Sequence, residues 1–133
     1  MLTEFQVALR RESARAARYR QSLSLLLLDL PATSDVVEKV RDAIRLCDCA
    51  MTGPGDRVAV VLPETPLEGA LLVATRLAGA LGPSPATGGP RAIGVATFPS
   101  ATVADGEALV RAAQGAVDRA RSSGGGILTP VSR

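Results

Sequence analysis

Arginines are the residues of this sequence best suited to bind an anion. Five of them, Arg10, Arg11, Arg15, Arg18 and Arg20, crowd the N-terminal segment. A guanidinium donates parallel hydrogen bonds to a carboxylate or a phosphate, so this segment can dock a protein partner. The same spacing also fits the solvated face of an ordinary helix, and both interpretations stay open.

Nucleophiles and metal ligands are few. The sequence has no His, so both the commonest general base and the commonest zinc ligand are missing. Cys47 and Cys49 are too few for a structural zinc site, and cysteines this close rarely form a disulfide. We therefore expect reduced thiols in a cytoplasmic protein, with Cys47 in the core, and we predict no cofactor.

Length and composition predict one globular domain. The chain has 133 residues, of which 47% are hydrophobic and 21% charged. We expect a single domain over 1–133, with an N-terminal helix at 3–20 and a core at 22–130. The formal net charge of +2 is too small to indicate binding to nucleic acid or to an anionic membrane.

The apolar run that follows the arginines imitates a secretory signal. It extends from Ser22 to Leu28 and is cut by Asp29, whereas about 20 apolar residues are needed to span a bilayer. A buried strand explains this run better, and no membrane insertion is predicted.

Hydrophobic spacing and turn residues predict alternating helices and strands. Thr3 and Gln6 form a capping box for the first helix, and Asp105 caps the last one. A second helix is predicted to start at Thr33 or Ser34. A third is predicted to start at Thr65, because Pro66 at the first helical position and Glu68 support a helix start there. The predicted strands are 23–30, 49–52, 57–62, 92–98 and 127–129.

Helical spacing also assigns the inner and outer faces of the middle helices. The second helix has a buried stripe made of Val36, Val40, Ile44 and Cys47. Arg45 and Asp48 fall off this stripe, and Arg76 points away from the core in the third helix. The order of elements predicts an α+β, ferredoxin-like fold with a central mixed, largely antiparallel sheet flanked by helices.

The order and spacing of several segments resemble the GGDEF domains of diguanylate cyclases. The N-terminal helix resembles the family's opening helix, and Leu25–Asp29 resembles its first strand. Arg45-Leu46-Cys47-Asp48, five further residues and then Pro54–Pro63 follow the spacing of its inhibitory site and signature hairpin. Segments 93–96 and 113–124 are similar to its closing strand and helix. The resemblance implies a nucleotide-cyclase-like fold in a bacterial signalling protein.

The same resemblance implies that catalysis is lost. The degenerate signature reads Pro54-Gly55-Asp56-Arg57-Val58. Arg57 replaces an acid that helps to hold the metal ions, and a guanidinium repels Mg²⁺. Pro54 replaces a Gly and has no N–H. The guanine-contacting segment after the first strand is absent, which leaves Asp29 alone where a metal-binding Asp is expected.

A regulatory site for the family's product, cyclic di-GMP, is implied by three residues. Arg45 and Asp48 match its R-x-x-D pattern, and Arg76 falls where a further Arg is expected. Arginine forks bind phosphate or the guanine Hoogsteen edge, and a carboxylate accepts from guanine N–H groups. We expect a catalytically inactive regulatory domain that binds cyclic di-GMP here.

Two alternatives to this ligand site stay open. Arg45 and Asp48 also suit an ordinary surface ion pair, and Arg76 a solvated side chain. The chain can instead be a ligand-independent interaction module that binds a protein partner or dimerises, for which the arginine-rich helix and the outward-pointing Leu72 are the support.

Overall fold

A computed structural model describes residues 1–100, 103 and 105–130 of the protein. The predicted domain also contains residues 101, 102, 104 and 131–133, which lie outside this described part. The elements are α1 (Glu4–Tyr19), β1 (Leu23–Pro31), α2 (Ser34–Arg41), β2 (Cys49–Thr52), a 3₁₀ turn (Pro54–Asp56), β3 (Arg57–Pro63), α3 (Leu67–Leu81), β4 (Ala92–Phe98), α4 (Gly106–Ser122) and β5 (Gly126–Leu128).

The strands form one sheet in the order β2-β3-β1-β4-β5. Strand β1 is central and pairs antiparallel with both β3 and β4, and β2 pairs antiparallel with β3. Strand β5 runs parallel to β4 at the opposite edge. The predicted α+β class with a largely antiparallel sheet flanked by helices is therefore confirmed.

Both faces of the sheet are covered, which explains the continuous apolar run Leu25–Leu28 in β1. Leu25 and Leu27 belong to a core cluster with residues of α1 and α4. Leu26 and Leu28 belong to a second cluster, with residues of α2 and α3. Successive side chains of a strand point to opposite faces, so each face receives every second leucine.

The first and the last helix, α1 and α4, begin with the caps that the sequence predicts. The Thr3 hydroxyl accepts from the Gln6 amide at 3.1 Å, and the Gln6 side chain accepts from the Thr3 amide at 2.9 Å. The Asp105 carboxylate accepts from the Ala108 amide at 2.8 Å. Both caps satisfy amide groups that have no partner inside the helix.

The second helix is shorter than its apolar spacing predicts. It ends at Arg41, and its buried residues are Val37 and Val40. Residues 42–48 turn instead, so Ile44 is only partly buried. The prediction that Cys47 lies in the core is wrong, because this thiol is exposed.

The start of the third helix also differs from the prediction. Pro66 occupies the N-cap position and makes no side-chain cap. Thr65 is buried, and its hydroxyl donates to the Pro63 carbonyl and accepts from Arg45. The hydroxyl is therefore engaged with Pro63 and Arg45, and it does not cap the helix. Within the described part of the chain, no helix is long and apolar enough to cross a membrane.

Gly94 allows helix α4 to lie directly on strand β4. A Cβ atom at this position would come within 2.5 Å of both the Ala113 carbonyl oxygen and the Val117 nitrogen. These are backbone atoms of a packed helix, so they cannot yield as the end of a flexible side chain can.

We predict that Gly94→Ala lowers the free energy of unfolding by about 2–3 kcal/mol, because the added methyl overpacks the contact between helix and sheet. Urea unfolding measures the change. Gly115→Ala is the matched control: a Cβ at Gly115 meets nothing within 4 Å, so higher helix propensity should stabilise the protein by about 0.5–1 kcal/mol. Equal effects of the two substitutions would contradict this account of the packing.

Candidate functional site

The tip of the β2–β3 hairpin holds Arg57 in a fixed place. Gly55 and Asp56 adopt positive φ angles of 69° and 60°, which turn the chain sharply. The Gly53 amide donates to the Arg57 carbonyl at 2.7 Å and closes the turn. The Ala32 amide donates to the Asp56 carbonyl at 2.9 Å, so the tip is also tied to the segment after β1.

A bulge at the end of β1 brings Asp29 to the same place. Leu28 pairs with Val58, but the next pair joins Pro31 to Arg57, so two residues of β1 have no counterpart in β3. Such a bulge re-aims the side chains of its strand. The Arg57 Nε atom donates to Asp29 Oδ1 at 3.0 Å.

Helix α4 completes this arrangement with one acidic and one basic residue. Arg57 Nη2 donates to Asp118 Oδ1 at 2.8 Å, and Arg121 Nε lies 3.8 Å from Asp29 Oδ2. We call Asp29, Arg57, Asp118 and Arg121 the ion-pair cluster. It joins the end of β1, the start of β3 and the last turns of α4.

Arg57 is the inner cation of the ion-pair cluster. Its side chain is only 17% exposed. Burial lowers the pKa of Arg57, but the hydrogen bonds to Asp118 and Asp29 outweigh burial, so the pKa is raised above its ordinary value. Arg57 therefore stays charged and neutralises the two carboxylates that flank it.

The residues at this end of the sheet do not fit the magnesium ions that an active cyclase of the resembled family would hold there. Mg²⁺ requires oxygen ligands in an octahedral arrangement, and the Asp29 carboxylate already faces the two guanidinium groups of Arg57 and Arg121. A divalent cation there would meet two positive charges at close range. In the described part of the chain, no group of three or more Cys, Asp or Glu residues could hold a metal ion.

The remaining signature residues lie in different surroundings. Asp56 is exposed and, together with Pro54, lines a cavity of about 1070 Å³ between the tip, the start of α1 and the start of α4. Gly55 is exposed, whereas Val58 is buried in the core cluster under α2 and α3. None of these four residues belongs to the ion-pair cluster.

Arg45 and Asp48 lie together in the turn that follows α2. Arg45 Nε donates to Asp48 Oδ2 at 3.1 Å, and Arg45 Nη2 donates to Asp48 Oδ1 at 2.9 Å. The Arg45 amide donates to Asp48 Oδ2 as well, at 3.1 Å. The Asp48 side chain is completely buried, so its carboxylate faces the protein rather than the solvent.

The segment that leads into helix α3 holds Arg45 from the other side. Arg45 Nη2 donates to the Thr65 hydroxyl at 2.7 Å and lies 3.3 Å from the Pro63 carbonyl. The hydrogen bond to Asp48 raises the pKa of Arg45, although burial opposes it. The Arg45 side chain is 51% exposed, and within the described part of the chain Nη1 has no hydrogen-bonding partner. One edge of a firmly held guanidinium therefore faces the solvent.

Arg76 is the predicted site residue that the structure does not join to the others. It is exposed on α3, and within the described residues no hydrogen bond or ion pair connects it to Arg45 or Asp48. Sequence reasoning missed Thr65, Asp118 and Arg121. Asp118 lies 61 positions from Arg57, and nothing in the local sequence indicates that pairing.

The two groups of charges lie at opposite ends of strand β3. Arg57 is its first residue and belongs to the ion-pair cluster, whereas Pro63 is its last residue and accepts from Arg45. Seven residues of extended strand separate the two ends by about 20 Å.

The solved structures to which this chain is similar include several GGDEF domains. The chain resembles the GGDEF domain of YfiN (or TpbB) from Pseudomonas aeruginosa, with a TM-score of 0.79 and 21% identity over 97% of this chain and 94% of that one. The active GGEEF domain of a diguanylate cyclase from Vibrio cholerae gives a TM-score of 0.72 and 18% identity, with 94% of each chain covered.

A third structure has a ligand. The GGDEF domain of DgcB from Caulobacter crescentus in complex with cyclic di-GMP gives a TM-score of 0.67 and 17% identity, covering 93% of this chain and 84% of that one. No protein-family model matches the sequence, and no curated protein matches it either. The similarity to these three solved structures shows that the chain has a GGDEF-like fold, as the sequence predicts.

We predict that Arg57→Gln lowers the free energy of unfolding by about 1–3 kcal/mol, because it leaves Asp29 and Asp118 without their shared cation. Arg76→Gln, which changes an exposed arginine, should cost less than about 0.5 kcal/mol. Denaturant unfolding of Arg57→Gln, Asp29→Asn and the double variant measures the coupling between the two residues. Additive losses would show that Arg57 and Asp29 do not stabilise the fold as a pair.

Proposed function

We propose that this chain is a cytoplasmic, catalytically inactive regulatory domain with the GGDEF fold, which acts by binding rather than by chemistry. The observation that carries the proposal is the Arg57 guanidinium held between Asp29 and Asp118. Phosphoryl transfer to a nucleotide depends on metal ions that bridge and neutralise the phosphates. The chain places an internal cation against the carboxylate that would have to hold such an ion.

The ligand that we propose is cyclic di-GMP, bound at the solvent-facing edge of Arg45 with Arg76 as a second contact. A half-exposed guanidinium held by Asp48 and Thr65 loses little conformational freedom when it binds a phosphate or a guanine edge. Asp48 acts here as a positioning residue, because its own carboxylate is buried. The complex of the similar DgcB domain with cyclic di-GMP supports the choice of ligand.

A ligand-independent interaction module is the second candidate. The observation that favours it is the exposure of large apolar side chains, above all Leu46 at 106% and Leu72 at 68%. A leucine side chain that is exposed to this extent gains free energy when another protein covers it. The two functions are compatible, since the domain can bind a nucleotide and a protein at neighbouring surfaces.

We predict that the protein forms no cyclic di-GMP from GTP in the presence of Mg²⁺ or Mn²⁺. Product analysis by liquid chromatography tests this, with an active diguanylate cyclase assayed beside it. The Arg57→Glu variant should also be inactive, because the guanine-contacting segment is absent as well. Steady turnover by the unmodified protein would overturn the proposed loss of catalysis.

We predict that calorimetric titration with cyclic di-GMP shows binding, and that Arg45→Lys and Arg76→Ala each weaken it by about tenfold or more. Lysine keeps the charge at position 45 but loses the fork of parallel donors. Arg18→Ala, at an exposed arginine of α1, is the control and should leave the affinity unchanged.

Two outcomes of this titration would contradict the proposal that the chain binds cyclic di-GMP at this site. No heat and no rise in melting temperature at several hundred micromolar ligand would exclude cyclic di-GMP as the ligand. Unchanged affinity in both variants would place the binding site elsewhere on the molecule. In either case the second candidate, an interaction module, would remain.

A further inference from the structure

Helix α1 and the residue that ends it carry positive charge that the protein does not neutralise itself. The side chains of Arg15, Arg18 and Arg20 are exposed, and within the described part of the chain none of them forms a hydrogen bond or an ion pair. We call these three arginines the basic face. Arg15 and Arg18 also line an open depression of about 640 Å³, and no carboxylate is among the residues that line it. The guanidinium groups are therefore free to meet an anion from outside the molecule.

Two acidic residues lie near the basic face, and neither neutralises it. Glu12 is buried and accepts from Arg11 Nε at 3.2 Å, so Arg11 is paired and does not belong to the basic face. Glu64 is exposed and accepts from the Gln21 side chain at 3.0 Å. Among the described residues, no ion pair joins either carboxylate to the basic face. Its positive charge therefore stays in excess, even when Glu64 is counted against it.

The charge of the whole chain is distributed unevenly. Residues 5–20 contain five arginines and one acidic residue, and the rest of the chain contains ten basic and twelve acidic residues. The formal net charge of +2 thus combines a strongly positive helix with a slightly negative remainder. Such an asymmetry turns a molecule with its positive side towards a negatively charged surface.

The residues between the arginines favour a lipid surface over a protein partner. Ala14 and Ala17 are exposed there, and they offer a protein little apolar area to cover. Tyr19 is 57% exposed, and the Arg18 guanidinium lies 5.4 Å from the centre of its ring. Tyrosine, with an apolar ring and a polar hydroxyl, is enriched at membrane interfaces. Clusters of basic residues on an amphipathic helix are typical of binding to anionic phospholipids.

We propose that helix α1 docks this domain on an anionic phospholipid surface. The helix lies along the surface, the guanidinium groups of the basic face contact lipid phosphates, and the Tyr19 ring lies at the level of the headgroups. No segment crosses the bilayer. The proposal is independent of the proposed nucleotide site, because α3 with Arg76 covers the opposite face of the sheet.

Cosedimentation of the full chain with vesicles tests this docking. The protein should bind vesicles of phosphatidylcholine mixed with phosphatidylglycerol and should not bind phosphatidylcholine alone. The double variant Arg15→Gln/Arg18→Gln should lose about fivefold in affinity for each arginine removed. Added salt should weaken binding of the unmodified protein, because contacts between exposed charges are screened.

Two further double variants separate the basic face from net charge and from a specific phosphate site. Lys39→Gln/Arg111→Gln removes the same charge from exposed residues of α2 and α4, and it should leave the affinity within about twofold of the original. Arg15→Lys/Arg18→Lys keeps the charge, so it should keep most of the binding, whereas a site built on guanidinium forks would lose it. Melting temperatures establish that all variants keep the fold.

Tyr19 gives an independent readout of orientation. The chain has one tyrosine and no tryptophan, so its tyrosine fluorescence reports on the end of α1 alone. Phospholipids that carry a nitroxide on the headgroup quench a tyrosine that lies beside them. We expect quenching when such lipids are part of anionic vesicles and none when they are part of phosphatidylcholine vesicles.

Several results would overturn the proposal. They are an absence of binding to anionic vesicles at low salt, an equal loss of affinity in the control pair at Lys39 and Arg111, and bound protein whose Tyr19 is not quenched. Fluorescence anisotropy with labelled single-stranded DNA and with polyglutamate gives the last one. Equally tight binding of either polymer would show that the basic face holds a polyanion or an acidic protein segment rather than a lipid surface.

Discussion

The organisation of this end of the sheet depends on one cation that the chain supplies itself. Arg57 leaves the hairpin tip, enters a space with little solvent and meets Asp29 and Asp118, which come from different elements. Two carboxylates that share one site repel each other, which costs free energy. The guanidinium between them removes that cost. The arrangement thus explains how three elements are joined at this end of the sheet.

The two-layered core gives these charges their fixed positions. Strand β1 lies in the middle of the sheet and is covered by α1 and α4 on one face and by α2 and α3 on the other. The hairpin therefore extends from a rigid base. The first residue of β3, Arg57, reaches the ion-pair cluster, and the hydroxyl of Thr65, two residues after the end of β3, accepts from Arg45.

Local sequence signals predicted the parts of the fold that depend on local physics. The strand bounds, the capping box of Thr3 and the Asp105 cap follow from patterns within a few residues. The end of α2 did not, because the apolar period runs on to Cys47, whereas the helix ends at Arg41 and the backbone turns directly after it, with Ala43 donating to the Val40 carbonyl. Thr65 was misassigned for a similar reason, since its hydroxyl is used by a distant arginine.

The candidate site was predictable only in part, for the same physical reason. Arg45 and Asp48 lie three positions apart, so their pairing can be read from spacing. The pairing of Arg57 with Asp118 depends on how α4 crosses the sheet, and the bulge that turns Asp29 towards them leaves no mark in composition. Contacts between distant segments arise from topology, which a single sequence does not display.

The length of β3 has a consequence for how such a protein can change over generations. Because about 20 Å of rigid strand lies between Arg57 and the Pro63 carbonyl, a substitution at one end hardly moves the atoms at the other. A substitution at one end of β3 therefore leaves the contacts at the other end in place. Substitutions at the two ends should therefore change stability and binding independently of each other.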